Sequence, residues 1–463
     1  LLGRTTVYHE PHASVKDISA TFARIVSPMG APAPATPAGA ASTVTFGHLN
    51  VSLTAPQRAS SAPLLSGTGI ELPIGPMPEP SLTEFEPVSA ATIVSHLKRL
   101  DSHKASGPDK IPPSIYKLLQ KQIAPSLAQL FTISFRSGIF PSLYKIANVR
   151  PIHKRGSSSD PSNYRPISLL PIASKLLERC AYEQIMSHIQ GESFPNALPN
   201  EQFAYRKQHS CEDLLATTTN DWQACLDKGQ FVVAAFLDLS KAFDTVNHAS
   251  LLQELFSIGV GGTALQWIAS FLCDRRQRVV TKHQEGEQYT PTRGVPQGST
   301  LGPALFNLSV RALPSCTITS KVRQFADDVS MYKAGTNLQK LTDDLSADIS
   351  VIREYLRDRG LNLNNSKTQF IIIRQKTKCV PPNICLRLGD VLISPTPTVK
   401  YLGLTIDEHL SFSSYVTEVE KKVGTKLAMF RKIRDNLTPA ARKTFYCSFI
   451  QALLEYGSNA FVH

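Results

Sequence analysis

The sequence predicts an α+β fold, and three observations carry that expectation. Phe231 to Leu237 is an unbroken run of seven apolar residues, F-V-V-A-A-F-L, whose length and β-branched and aromatic content suit a buried strand. Lys321 to Lys333, K-V-R-Q-F-A-D-D-V-S-M-Y-K, sets Asp327 and Asp328 between two short apolar segments with strand-type alternation, the pattern of a hairpin with two carboxylates at its tip. Helical periodicity marks other stretches, most plainly the stripe Val416, Val419, Val423, Leu427 and Phe430.

Taken in chain order, residues 1–80 hold eleven of the 32 prolines, three aromatic residues and the tract S-P-M-G-A-P-A-P-A-T-P-A-G-A-A-S. Such a segment buries too little apolar surface to offset its ordering entropy, so a largely disordered Pro/Ala-rich linker or remnant is expected there. Over 81–148 the pattern is helical: V-S-A-A-T-I-V-S-H-L-K-R-L, then I-P-P-S-I-Y-K-L-L-Q-K-Q-I-A-P-S-L-A-Q-L-F-T-I-S-F, with a turn at G-P-D-K between them. Strands and helices mix over 149–410. The stripe of 411–463 then predicts a helical region, and a basic one, with eight Lys/Arg against four Asp/Glu.

With 463 residues and 42% hydrophobic content, the chain is long and apolar enough for two to three globular units. A net charge of +12 implies an anionic partner, phosphate backbones foremost. The eight cysteines form no C-x-x-C pair and no Cys/His cluster at zinc spacing, so they read as reduced thiols. No apolar run reaches the length of a membrane-spanning helix, and no signal peptide or G-x-x-x-x-G-K-[ST] phosphate loop is visible.

The acids carry the chemistry. Taken alone, F-A-D-D fits a solvated turn as well as a site, because Asp favours turns. Asp238 shifts that balance, since it ends the apolar run Phe231–Leu237, where a charge is ill placed without a partner. Asp238 and Asp327, brought together in one sheet, would make an oxygen-rich site suited to Mg²⁺, which prefers carboxylates plus substrate phosphates. Two such ions about 3.5 to 4 Å apart clamp the attacking and leaving oxygens of an in-line phosphoryl transfer. Asp244, in A-F-D-T-V-N-H, sits where a helix should begin and reads as an N-cap rather than a ligand.

Three segments in this order, F-L-D-L-S-K-A-F-D-T-V-N-H, G-V-P-Q-G-S-T-L-G-P-A-L-F-N-L and F-A-D-D, resemble the successive palm motifs of reverse transcriptases. N-Y-R-P-I-S-L-L-P-I-A-S-K-L-L-E-R, L-N-L-N-N-S-K-T and Y-L-G-L-T-I-D narrow the resemblance to the polymerases of non-LTR (LINE-like) retrotransposons, from about Leu100 to the C-terminus. It implies a right-hand polymerase, with fingers and an antiparallel palm sheet plus helices over 149–410, a helical extension of the fingers over 81–148 and a truncated helical thumb over 411–463. It also implies an RNA-directed DNA polymerase that extends a DNA primer, or nicked target DNA, on an RNA template with dNTPs and two Mg²⁺ ions, Mn²⁺ substituting. Target-primed reverse transcription then sets an intracellular location: a cytoplasmic ribonucleoprotein with a nuclear site of action and no membrane. An intron-maturase-type reverse transcriptase or an RNA polymerase of the same fold is disfavoured by A-D-D in place of G-D-D and by Phe243. A non-catalytic RNA-binding remnant is disfavoured by the intact motif acids.

By the same resemblance, Asp238 and Asp327 are the shared metal ligands and Asp328 a secondary one. Phe243 matches the aromatic ring that packs beneath the sugar and excludes a 2′-OH. Lys154 in V-R-P-I-H-K-R-G and Arg165 in N-Y-R-P-I-S match the residues that hold the triphosphate, chemically apt as a point charge and a bidentate fork. In G-V-P-Q-G-S-T-L-G-P, Gly294 and Gly298 permit close backbone approach and Gln297 reaches the template–nucleotide pair. Lys367 matches a lysine that protonates the leaving pyrophosphate, and Tyr401, Leu402 and Gly403 resemble a primer grip. Lys110 stands in a turn where the family more often has Gly.

Overall fold

The structure is a computed structural model that describes residues 14–26, 42–46, 49–53, 81–154, 156–191, 194 and 197–461. The chain divides into two compact units, each assembled from non-contiguous segments. The first comprises 1–198, 241–311 and 358–361, the second 199–240, 312–357 and 362–463.

In the first unit a four-stranded sheet runs in the order Tyr164–Leu169, Ile146–His153, Arg276–Val280, Glu285–Tyr289. The central pair is parallel and the outer pairs antiparallel. Val149, Tyr164 and Val279 from the sheet pack with Ile18 and Phe22, which come from the helix Val15–Val26. That helix and a hairpin, Ser42–Phe46 with Leu49–Leu53, lie in the segment expected to be largely disordered. Proline content averaged over 80 residues hid a 12-residue amphipathic stretch that contains none; the rest of that expectation falls outside the described residues.

The predicted helical region contains Ala90–Lys98 and Gln120–Ser137. Phe135 and Phe140 pack edge-on against Trp267 of the helix Gly262–Leu272, whose indole N–H donates to Ser134 Oγ at 2.9 Å. This aromatic cluster supplies both apolar area and a satisfied polar handle. In the G-P-D-K turn, Lys110 adopts φ +58° and donates from its backbone N to Gly107 O at 3.0 Å. A lysine there accepts the left-handed conformation that glycine takes without steric cost.

The second unit is built on a fully antiparallel sheet in the order Gln369–Ile373, Phe231–Asp238, Asp328–Gly335, Lys321–Phe325. Val232 to Ala235 are completely buried, as a strand covered on both faces requires. Against this sheet pack the helix Cys211–Asp227, through Leu214, Leu215 and Trp222, and the hairpin Thr398–Tyr401 with Leu404–Asp407. The basic helix is Ser413–Ile433, but its apolar stripe is only partly covered: Val416 and Leu427 are 44% and 38% exposed, while Phe430 stacks on Phe445.

Candidate active site

The three motif acids come together at one end of the second unit's sheet. Asp238 is the last residue of its strand and stands directly opposite Asp328 in the ladder. Phe325 pairs with Asp328, so Ala326 and Asp327 form a two-residue turn, and Ala326 takes φ +57°. Asp238 also accepts at its backbone carbonyl from Asn364 N at 2.8 Å, which ties the strand end to the loop carrying Lys367. The Lys367 ammonium lies 3.7 Å from the Asp238 carboxylate, with both side chains substantially exposed.

A residue the sequence did not single out shapes this turn. Gln202 is buried, and its Oε1 accepts from Ala326 N and Ala204 N, each at 3.0 Å. Phe203 N donates to Gln324 O and Gln324 N to Glu201 O, so the segment 201–204 runs beside the edge strand of the acid hairpin. The same segment brings Tyr205 close to Asp327; burial, then that carboxylate, push the phenol pKa up. In N-E-Q-F-A-Y-R no local pattern marks this glutamine, because its partner is 124 residues away.

Hard carboxylate oxygens facing one another across a ladder suit a divalent cation in donor type. Among the described residues no cluster of three His, Cys, Asp or Glu side chains is close enough to cage one. Mg²⁺ does not need such a cage, since it is bound through one or two carboxylates and completes its shell with water and substrate phosphates. The residues therefore fit the cation.

The nucleotide-binding candidates belong to the first unit. Here the loop Gly294–Gly298 is pinned on two sides by backbone. Gly294 N donates to Val246 O at 2.8 Å and Val295 N to Phe243 O at 2.7 Å, while Ser168 N donates to Gln297 O at 2.7 Å. Gly294 and Gly298 have φ +84° and +114°, and a Cβ on them would meet Asp244 O at 2.5 Å and Ser168 O at 2.6 Å. Both glycines are thus required by close approach as well as by conformation. Phe243 is half-buried and stacks on Phe306 with centroids 4.5 Å apart.

Asp244 corrects the N-cap expectation. It lies inside the short helix Ala242–Thr245, which starts from Lys241 in a left-handed conformation, and it caps nothing. The cap of the next helix, His248–Ser257, is Asn247, which accepts from Ser250 N at 3.1 Å. The Asp244 carboxylate instead accepts from Gln297 Nε2 at 2.8 Å. Burial raises its pKa to about 6, opposed by that hydrogen bond and by the charges of Lys241 and Lys154.

Arg165 lies on the first unit's sheet and Lys154 directly follows its strand Ile146–His153, both exposed. Arg165 pairs with Ile152, and Lys154 N donates to Asn163 O at 2.8 Å, so the loop between them closes on itself. Beneath the loop Ser299–Leu301 sits Glu178, fully buried, which the sequence also left unmarked. It accepts from Thr300 N at 2.7 Å, Leu301 N at 3.2 Å and Ser174 Oγ at 3.0 Å. Burial pushes its pKa up, and the buried guanidinium of Arg275 is the largest opposing influence.

Tyr401 differs from the expected primer grip. Its ring is buried against Phe236 and its hydroxyl is hydrogen-bonded with Ser330 Oγ at 2.9 Å. Only the turn that follows is accessible, Leu402 and Gly403 with φ +46° and +89°, and the Tyr456 hydroxyl clasps the Leu402 carbonyl.

Comparison with known proteins agrees with the resemblance read from the motifs. Residues 152–406 match the family model described as reverse transcriptase (RNA-dependent DNA polymerase). The chain belongs to the reverse transcriptase family. It is 28% identical over 389 residues to the RNA-directed DNA polymerase from mobile element jockey of Drosophila melanogaster, covering 81% of this chain and 42% of that protein. To the probable RNA-directed DNA polymerase from transposon X-element of the same fly it is 27% identical, covering 81% and 41%. To that from transposon BS it is 26% identical, covering 81% and 42%. These relatives are polymerases of non-LTR retrotransposons, and the chain spans about two fifths of their length. A solved apo telomerase from Candida tropicalis superposes with a TM-score of 0.41 at 13% identity over 67% of this chain and 62% of that one, too loosely to bear on the argument.

Proposed function

We propose that this chain is an RNA-directed DNA polymerase that extends a DNA primer on an RNA template, in target-primed reverse transcription of a non-LTR retrotransposon. The observation that carries the reading is the in-register pair Asp238 and Asp328 beside the Asp327 turn, three carboxylates at the end of a buried sheet, with the Lys367 ammonium 3.7 Å from Asp238. Like charges so placed cost stability unless a cation joins them. Asp238 and Asp327, with Asp328 in a secondary role, would hold Mg²⁺, for which Mn²⁺ would substitute. Bound cations would supply the charge stabilisation that in-line phosphoryl transfer requires.

The remaining roles belong to the chain's own residues. Lys367, beside Asp238, is positioned to hold a proton for the leaving pyrophosphate. Arg165 and Lys154 grip the triphosphate, and Phe243, supported from behind by Phe306, closes the space a 2′-OH would occupy. Gln297 and Gly298 meet the nascent base pair. Leu402 and Gly403 approach the primer through the turn backbone rather than through the Tyr401 ring. In this reading 81–148 extends the fingers, 149–410 is fingers and palm, and the basic helices of 411–463 form the thumb along the duplex.

The test is primer extension on a poly(rA) template with dNTPs, run with Asp238→Ala alongside. Wild-type protein should extend the primer and melt at a higher temperature with added Mg²⁺, because a ligand that binds only the folded state stabilises it. Asp238→Ala should lose both responses and keep its affinity for RNA. A mutant that retains more than a few per cent of activity rejects the metal assignment.

A further inference from the structure

The hydrogen bond between Gln297 and Asp244 decides which end of the glutamine amide is available to a substrate. An ionised carboxylate only accepts, so it must face the amide nitrogen, and the observed contact is Nε2 to Oδ1 at 2.8 Å. One N–H of that nitrogen is then engaged, and the carbonyl oxygen is the end of the amide turned away from the carboxylate. The glutamine's backbone is held independently by Ser168, so the side chain has little other freedom to choose its orientation.

We propose that Asp244 is a positioning residue for Gln297: its carboxylate takes the amide nitrogen and leaves the amide oxygen as an acceptor for a hydroxyl or amino donor on the incoming nucleotide. This rests on the reading of Gln297 as a nucleotide contact given above. A merely structural acid is a poor explanation of the site. Asp244 lines a cavity of about 20 Å³, room for about one water, together with His248, Tyr289 and Arg275. In these surroundings burial raises its pKa to about 6, so keeping it ionised at neutral pH carries a desolvation cost that an asparagine of the same shape would not.

The same setting makes the orientation pH-dependent. Below about pH 6 the Asp244 carboxyl gains a proton and becomes able to donate, so it accepts either end of the amide and no longer dictates one. The groups that face it are Lys241 just before its own helix, Lys154 just past the strand Ile146–His153, Tyr289 from the strand Glu285–Tyr289, and His248, Arg275 and Arg293 around the cavity. Of these, only His248 changes charge in the same acidic range. Burial lowers its pKa to about 4, so it is neutral wherever Asp244 is losing its proton. Comparison of wild type with Asp244→Asn therefore isolates the carboxylate.

The experiment uses the whole chain and two variants, Asp244→Asn and Gln297→Met, with their double mutant, between pH 5 and 8. In primer extension, the wild-type KM for dNTP should rise as pH falls through 6, by roughly two- to tenfold, the scale of one hydrogen bond, while kcat changes less. Asp244→Asn and Gln297→Met should show flat, elevated KM profiles, and the double mutant should match Gln297→Met alone. A wild-type KM and pH profile in Asp244→Asn, or additive effects in the double mutant, overturns the proposal. If Gln297→Met extends primers with an unchanged KM, the reading of Gln297 as a nucleotide contact fails and the inference falls with it.

Thermal melting decides the pairing even if no preparation extends a primer. Loss of Gln297 removes a contact that holds the Asp244 pKa down, so the pH at which wild type and Asp244→Asn diverge in melting temperature should move upward in the Gln297→Met background. An unmoved midpoint overturns it.

Discussion

The acids of the two candidate sites, one in each unit, live under opposite conditions. In the second unit Asp238 and Lys367 are substantially exposed, Asp328 is exposed, and a 3.7 Å approach is the closest ion pair of Asp238 among the described residues. In the first unit Glu178 is sealed from solvent with three hydrogen-bond donors on its oxygens, and Asp244 is held by Gln297 in the wall of a small cavity. A carboxylate open to solvent can exchange water for a cation. One that shapes a loop gives its oxygens to the donors of that loop.

The sharpest way to break that contrast is to remove one acid from each side. Asp327→Ala should abolish primer extension and yet leave the cation-free protein as stable as wild type or more so, since it relieves like-charge repulsion. Glu178→Ala should do the reverse to the fold and cost about 3 to 5 kcal/mol, because Arg275 is left as an uncompensated buried charge. Chemical denaturation of both variants in chelator checks this; equal destabilisation of the two would erase the distinction.

A smaller effect is expected at Phe243. Phe243→Val should raise incorporation of rNTPs relative to dNTPs by about 1 to 3 kcal/mol in discrimination, the range of a pocket contact. A folded variant with an unchanged ratio would make the Phe243–Phe306 stack an ordinary piece of core.

Gln202 sharpens the comparison from the acid side. Gln202→Ala removes the acceptor of the buried Ala326 N–H, which should cost about 1 to 3 kcal/mol and loosen the turn that carries Asp327. Terbium luminescence should report weaker cation binding than in wild type. Unchanged binding would mean the hairpin holds Asp327 without help.

Legibility followed the range of each signal rather than the unit it lies in. The strand Phe231–Asp238, the acid hairpin and the helix Ser413–Ile433 announce themselves because their signals are local, an apolar run or a periodicity within one element. Glu178 and Gln202 were missed because their partners lie more than 120 residues away, at Thr300, Leu301 and Ala326. Asp244 was misread as a cap because a left-handed Lys241 starts its helix and Asn247 takes over the capping of the next. Tyr401 was carried over with its motif, although the motif contains both a buried anchor and an accessible turn, and only the fold separates them.

The assignment of segments to units sets a condition on synthesis. The chain passes from one unit to the other at 198/199, 240/241, 311/312, 357/358 and 361/362. A ribosome that has released only the first 350 residues has therefore made neither unit whole: the first lacks 358–361, and the second lacks the strand Gln369–Ile373 that covers one edge of Phe231–Asp238. With its sheet waiting for a distant partner, the nascent chain carries an unpaired apolar strand edge for most of its emergence, the kind of surface that aggregates or recruits chaperones. Heterologous production should respond more to slower translation or lower temperature than to trimming either end, and no single cut divides this chain into the two units.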